Sequence, residues 1–239
     1  MNRLALMILK NILAVPGLWT KLCRYADTAG QYPEQESWTH IQKIMKRAVQ
    51  AGNIDLVCTG VEKIPTEPGY LLVGNHQGLF DVVAIVATHD APLGAVYKKE
   101  LEGMPFIKQI VACTKSFAMD REDVRQSLTV IQNVTKELEA KRSYIIFPEG
   151  TRSKMGNKMN EFHGGSFRCA VKAKATIVPF TVIDCFKVLD QKGSKKVRVQ
   201  LHYMDPIPYE EYQGMKTTEI AQMVQSRIAE VIAANTTDI

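Results

Sequence analysis

Residues 70–81 read Tyr-Leu-Leu-Val-Gly-Asn-His-Gln-Gly-Leu-Phe-Asp. The apolar run Tyr70–Val73 has the length of a buried strand, and Gly74 punctuates it. A helix-like stretch over 79–88 follows at once, so a strand runs through a short polar turn into a helix. That unit repeats on both sides. From about residue 54 onward, β-branched runs at Ile54–Thr59, Gly94–Tyr97, Ser116–Met119, Tyr144–Phe147, Thr176–Ile183 and Val197–Tyr203 alternate with helical stretches near 101–111, 123–141, 166–174 and 217–234. The 123–141 stretch is the clearest helix, with Val124, Leu128, Ile131, Val134 and Leu138 forming one apolar stripe. Alternation of this kind predicts an α/β fold with a largely parallel, mixed sheet flanked by helices. Ligands of such sheets sit beyond the carboxyl ends of the strands.

The chain has 239 residues, enough for one sizeable α/β domain. Of its 30 Lys/Arg and 25 Asp/Glu, residues 1–50 hold seven and three, so the net charge of +5 sits mostly at the N-terminus. That segment is also strongly apolar. Residues 4–22 read LALMILKNILAVPGLWTKL, interrupted by Lys10, Asn11, Pro16 and Gly17, and no uninterrupted run reaches the ~18–20 residues of a membrane span. On a helical projection, Arg3, Lys10, Gly17, Lys21 and Arg24 share one side, apart from Leu4, Ile8, Ile12, Val15, Trp19 and Leu22. Such a helix is expected to lie in a membrane interface, bent at Pro16–Gly17, against anionic lipid. Trp38, Ile41, Met45 and Ala48 mark a second amphipathic helix, facing either the membrane or the domain. The expected division is 1–50, membrane-associating amphipathic helices, and 51–239, the α/β domain. Five scattered cysteines without CxxC spacing argue against a disulfide framework or a structural zinc site and favour a cytosol-facing location. A nucleic-acid partner is disfavoured, because the basic charge lies on the most apolar segment.

Four polar blocks follow strands. In the first, His76 and Asp81 are five residues apart, about 140° around a continuous helix, so they do not share a helix face. They meet if the histidine ends a strand and the aspartate opens the next helix, with Gly78 in the turn. The carboxylate then accepts the imidazole Nδ1–H and leaves Nε2 to take a proton. Alone, the pair is a weak signal, since a capped helix with a hydrogen-bonded loop more often accounts for such a spacing. The second block is Phe147-Pro148-Glu149-Gly150-Thr151-Arg152-Ser153. Gly150 permits close backbone approach, Thr151 offers a hydroxyl and Arg152 a guanidinium fork for phosphate oxygens. Glu149 suits a cation or a neutral hydroxyl, and the whole block also reads as a plain charged turn. The third, Phe117-Ala118-Met119-Asp120-Arg121, ends on a base, and the fourth, Ile177-Val178-Pro179-Phe180, reads as buried strand. Lys98 and Lys99 add charge after the strand ending at Tyr97.

In this order the blocks resemble the glycerolipid acyltransferase family and, within it, the 1-acyl-glycerol-3-phosphate acyltransferases. That family is marked by an NHxxxxD block, a strand ending in Arg, an FPEGTRS block and a VP segment. Here these are Asn75-His76 to Asp81, Phe117 to Arg121, Phe147–Ser153 and Val178-Pro179, over roughly residues 54–205. The resemblance implies that His76 is a general base oriented by Asp81. It places Asn75, Arg121, Glu149, Gly150, Thr151 and Arg152 about the acceptor, associates Val178-Pro179 with the acyl-binding or structural edge, and implies an N-terminal helical anchor with a cytosolic active site. The sequence departs from the family at Phe162-His163-Gly164-Gly165, where a Lys-containing Phe-Lys-x-Gly is common.

The expected reaction moves a fatty acyl group from acyl-CoA or an acyl carrier protein thioester to the free hydroxyl of a lysophosphatidate. Another lysophospholipid or glycerol-3-phosphate is the alternative acceptor. No metal cluster or nucleotide-binding glycine loop is legible, so no bound cofactor is expected. His163-Gly164-Gly165 resembles the HGG oxyanion loop of lipases, but no GxSxG nucleophile elbow occurs. A non-catalytic membrane-binding module is the rival from another class.

Overall fold

The computed structural model describes residues 2–236. Seven strands are β1 (Ile54–Thr59), β2 (Leu71–Gly74), β3 (Leu93–Lys98), β4 (Phe117–Met119), β5 (Ser143–Ile146), β6 (Ile177–Ile183) and β7 (Val197–Tyr203). The α-helices are α1 (Arg3–Lys10), α2 (Val15–Asp27), α3 (Glu34–Ala51), α4 (Phe80–Thr88), α5 (Ile107–Cys113), α6 (Val124–Glu139), α7 (Arg168–Ala173), α8 (Phe186–Leu189), α9 (Tyr209–Tyr212) and α10 (Thr217–Asn235). Each expected strand is present within a residue or two. The expected 101–111 helix begins later, at Ile107, because 99–101 winds into a 3₁₀ turn instead.

The strands form one sheet in the order β1-β7-β6-β2-β5-β3-β4. All neighbours are parallel except β6 and β7, so the sheet is largely parallel and mixed. β2 lies in the middle, with Leu71 opposite Tyr144 on β5 and Ile177 on β6. Its side chains alternate between two cores, as the strand period of two requires. Tyr70 and Leu72 join the core shared with α1–α5, whereas Leu71 and Val73 join the one under α6, α7 and α10. Both faces are therefore covered, which is why the central strands read as unbroken apolar runs. Because β2 to β6 run parallel, their carboxyl ends share one edge of the sheet.

The N-terminus departs from expectation. Residues 3–27 are two helices meeting at 95°, and the break falls at 11–14 rather than at Pro16–Gly17. The Asn11 amide donates to Met7 O and accepts from Arg47 Nε, which stops α1 there. Pro16 sits in the first turn of α2, where its missing N–H costs nothing. Among the described residues no single helix is long and apolar enough to cross a membrane, although the bent pair passes by length and composition together. Leu4, Ile8, Leu9, Ile12, Leu13 and Trp19 are exposed on this corner, Leu13 at 96%. Arg3 and Leu22, expected on the basic and lipid-facing sides, are instead buried at 5% and 0%. The second amphipathic helix, α3, turns Trp38, Ile41 and Met45 into the sheet's core.

A buried histidine ties α3 and α4 to β2. His89 follows α4; its Nδ1 donates to Ala91 O at 2.8 Å, so its Nε2 accepts from the Tyr70 hydroxyl at 2.8 Å. Its carbonyl takes the Trp38 indole N–H and the Gln42 amide. Burial pulls the His89 pKa from 6.5 down to about 4, against the opposing pull of Ala91 O and Asp90. The unfolded chain therefore takes up a proton on this ring at a higher pH than the native protein does. Stability from this group is complete above pH 6.5 and is lost as pH falls towards 4, by about 3 kcal/mol. His89→Gln is expected to lose roughly 2 kcal/mol less than the wild type between pH 7 and about 4.5. Urea unfolding at the two pH values checks this, and equal losses in both proteins contradict it.

Candidate active site

His76 and Asp81 meet at the carboxyl end of the central strand. β2 ends at Gly74, and α4 begins at Phe80, so the turn between them brings the two side chains together as strand-to-helix geometry allows. Asp81 Oδ2 lies 2.8 Å from His76 Nδ1 and also accepts the backbone N–H groups of Gln77 (2.6 Å) and Gly78 (2.9 Å). Because that oxygen only accepts, Nδ1 carries the ring proton and Nε2 is the basic nitrogen. Asp81 is fully buried, and Oδ1 has no hydrogen-bond partner. The His76 side chain is 18% exposed, and its ring stacks on Phe147 at 4.2 Å between centroids. Phe147 in turn meets Phe180 edge-on, so the imidazole rests on a wall of packed aromatic rings.

Two residues expected at the acceptor turn out to be structural supports. Asn75 is 1% exposed; its amide donates to Val182 O and accepts from Val182 N and the Thr181 hydroxyl, strapping the end of β2 to β6. Glu149 is 2% exposed, with Oε1 on His76 N (2.6 Å) and Oε2 on Asn160 N (2.8 Å). Burial raises its carboxyl pKa, while those two N–H bonds pull the other way. Neither side chain has the exposure that direct contact with an acceptor needs. Both instead hold the backbone around His76 in place.

The other expected residues lie on loops around this point. The loop after β5 is fastened by Ser153 N–H to His76 O at 3.0 Å. Gly150 in that loop has φ +67°, a conformation that favours glycine, and a Cβ there would lie 3.5 Å from the His163 ring. Thr151 is exposed and, with Arg121, lines an open cleft of about 1030 Å³. Lys98, Lys99 and Lys108 line it too, among Glu100, Glu102, Asp120 and Glu122. Arg152 points elsewhere: its Nη1 donates to Asp190 Oδ1 at 2.7 Å.

Several supporting residues carry no sequence signal of their own. Gln77 accepts Cys185 N–H and donates to Asn157 Oδ1, which also accepts Asp184 N–H. Asp190 packs so closely on the turn that a Cβ on Gly78 would sit 2.2 Å from its Oδ2. Only tertiary contact reveals these, apart from Gly78, whose place in the turn is readable. Among the described residues no cluster of side chains is arranged to hold a metal ion.

The fold and this edge define an α/β enzyme with a His–Asp pair, its aspartate fully buried, at the carboxyl end of its central strand. A family model described as Acyltransferase matches residues 55–183, more than half of the chain, and the chain belongs to that family. It is 32% identical to the 1-acyl-sn-glycerol-3-phosphate acyltransferase of Helicobacter pylori over 153 residues, covering 60% of this chain and 65% of that protein. To the Borreliella burgdorferi protein of the same name it is 25% identical over 189 residues, 77% of this chain and 75% of the relative. The crystal structure of the 1-acyl-sn-glycerophosphate (LPA) acyltransferase PlsC from Thermotoga maritima superposes with a TM-score of 0.78 at 19% identity. That superposition covers 99% of this chain and 98% of the other, and it establishes the shared fold.

Removing the Glu149 carboxylate orphans two partly buried N–H donors, those of His76 and Asn160, each costing about 1–3 kcal/mol. Glu149→Ala is therefore expected to lose about 2–5 kcal/mol of stability in urea unfolding. A loss under about 0.5 kcal/mol, the range of a surface change, contradicts the supporting role.

Proposed function

We propose that this enzyme transfers a fatty acyl group from a thioester to the sn-2 hydroxyl of 1-acyl-glycerol-3-phosphate, giving phosphatidate. The observation that carries the reading is the Asp81 Oδ2–His76 Nδ1 bond of 2.8 Å, which leaves Nε2 as the base at the same carboxyl edge of the sheet whose loops supply Arg121 and Thr151 to an open, lysine-lined cleft. The names of the relatives favour the same acceptor. Nε2 removes the acceptor's hydroxyl proton as the oxygen attacks the thioester carbonyl. The tetrahedral adduct collapses, the C–S bond breaks, and the thiolate leaves with the proton that the imidazolium returns. Asp81 fixes the tautomer throughout. We assign Arg121, Thr151, Arg152 and the cleft lysines to the acceptor's phosphate and glycerol, Arg152 being held through one of its N–H donors by Asp190 with the rest of its fork left to donate.

The donor is acyl-CoA or an acyl carrier protein, carrying its own thiol, and the mechanism calls on no bound cofactor. We assign the enzyme to the cytoplasmic face of a membrane, peripheral or monotopic, through the exposed apolar corner of α1 and α2. Lys10 and Lys21 there favour anionic lipids.

Thiol release from a long-chain acyl thioester, with and without lysophosphatidate, tests the chemistry. The wild type is expected to release thiol only with acceptor, and His76→Ala to lose about 10²- to 10⁴-fold in kcat. Acceptor-independent release, or a fully active variant, overturns the mechanism. For the membrane assignment, Leu13→Glu removes one large apolar contact and adds a charge. It is expected to weaken binding to anionic vesicles by roughly tenfold or more in a flotation assay. Unchanged flotation removes the corner from the binding surface.

A further inference from the structure

The first helix reaches the candidate site through one side chain. Arg3 donates from Nε to Val188 O (3.0 Å) and from Nη1 to Gly52 O (2.7 Å). It is 5% exposed, and burial alone accounts for the lowering of its pKa, with no charged partner contributing. A guanidinium taken out of water without a counter-charge is costly. Here the compensation comes from carbonyls at helix ends: Gly52 caps α3, and Val188 lies in the last turn of α8. Through these two bonds the guanidinium bridges the end of α3 and the last turn of α8.

The far side of α8 and its flanks face the two loops of the site. Cys185 N–H donates to Gln77 Oε1 at 2.9 Å, and Asp184 N–H to Asn157 Oδ1 at 2.9 Å. Asp190 holds Arg152 at 2.7 Å and lies against Gly78, inside the turn between His76 and Asp81. The segment 184–190 is thus clamped between α1 on one side and the histidine and arginine loops on the other. α1 also bears exposed Leu4, Ile8 and Leu9, so whatever covers that face acts on the helix that carries Arg3.

We propose that Arg3 is a positioning residue: by fixing α8 against α1 it sets Asp190 and, through it, the guanidinium of Arg152, so that the seating of the N-terminal helix controls affinity for the acceptor. This rests on reading the loop after β5 as part of the acceptor site. The device is a relay of two polar links, Arg3 to Val188 O and Asp190 to Arg152, joined by the short rigid turn of α8.

Steady-state kinetics of Arg3→Gln, Arg3→Lys, Asp190→Asn and the Arg3→Gln/Asp190→Asn double variant, with melting curves for each, tests it. Arg3→Gln is expected to raise the KM for lysophosphatidate roughly fivefold while kcat and the KM for the thioester stay within about twofold. Arg3→Lys retains the charge and is expected to recover part of that loss; it also keeps the readout available should the glutamine variant fail to fold. On the Asp190→Asn background, Arg3→Gln is expected to add less than about twofold, because the relay is already cut. An unchanged acceptor KM overturns the proposal, as do effects that multiply independently in the double variant. So does a loss of kcat and of affinity for both substrates that merely tracks a fall in melting temperature. A wild type that does not turn over lysophosphatidate sinks the acceptor reading and this inference with it, whereas normal turnover with an Arg3-independent KM sinks only the inference.

Discussion

The bond between Asp81 Oδ2 and the His76 ring depends on a carboxylate that is fully buried and has three N–H donors on one oxygen. A carboxylate is tolerated inside a protein only when its charge is met by well-aligned donors. Here two of the three come from the backbone of the turn itself, at Gln77 and Gly78. The turn is therefore closed around the anion, and the imidazole is the third arm. Everything about the site's layout follows from meeting that requirement. Gly78 must lack a side chain because Asp190 occupies the space. The helix after the turn carries the aspartate in its first turn, where the positive end of α4 adds to its stabilisation.

Around the turn, a second buried carboxylate does a different job. Glu149 acts on the backbone of His76, not on its ring, and joins β2's end to the loop at Asn160. Asn75 fixes the same strand end to β6 on the opposite side. Three successive residues after β2 are thus tied to the strands on either side: Asn75 to β6, His76 to the loop after β5, and Gln77 both to Asn157 in that loop and to Cys185 just beyond β6. On the proposed mechanism, a base held this way loses little freedom when substrate arrives, which is the physical content of preorganisation. The aromatic wall of Phe147 under the ring completes the restraint without adding a competing hydrogen bond.

The strands were readable because each central one is buried on both faces, so its apolar run is uninterrupted and its length stands out from the helices. His76 and Asp81 were readable because strand, glycine and helix constrain where a five-residue spacing can close. Asn75 and Glu149 were assigned to the acceptor because the resemblance grouped them with Arg152, and sequence order says nothing about which side of a loop a polar group faces. Asp190, Gln77 and Asn157 gave no signal, since their partners are 27 to 108 residues away. The N-terminal break was misplaced for a local reason. Pro16 reads as a kink, yet a proline in the first turn of a helix is comfortable, and the stop comes from Asn11 bonding backward to Met7 O and across to Arg47.

The charge pattern of the cleft bears on how an anionic acceptor is handled on the proposed reaction. Lys98, Lys99, Lys108 and Arg121 share it with Glu100, Glu102, Asp120 and Glu122, and two of the lysines are already paired, Lys98 with Glu100 and Lys99 with Asp120. Those pairs are substantially exposed, so each contributes little and opens at little cost. A phosphate entering the cleft then exchanges weak carboxylate contacts for its own, rather than meeting cations with no partner at all. The pair of Arg152 with Asp190 is more enclosed and is anchored through α8, so it resists exchange more than the lysine pairs do. On the proposed reaction, phosphate recognition would then be graded: the exposed lysines draw the acceptor in, and the guanidinium held by Asp190 beside the histidine turn seats it.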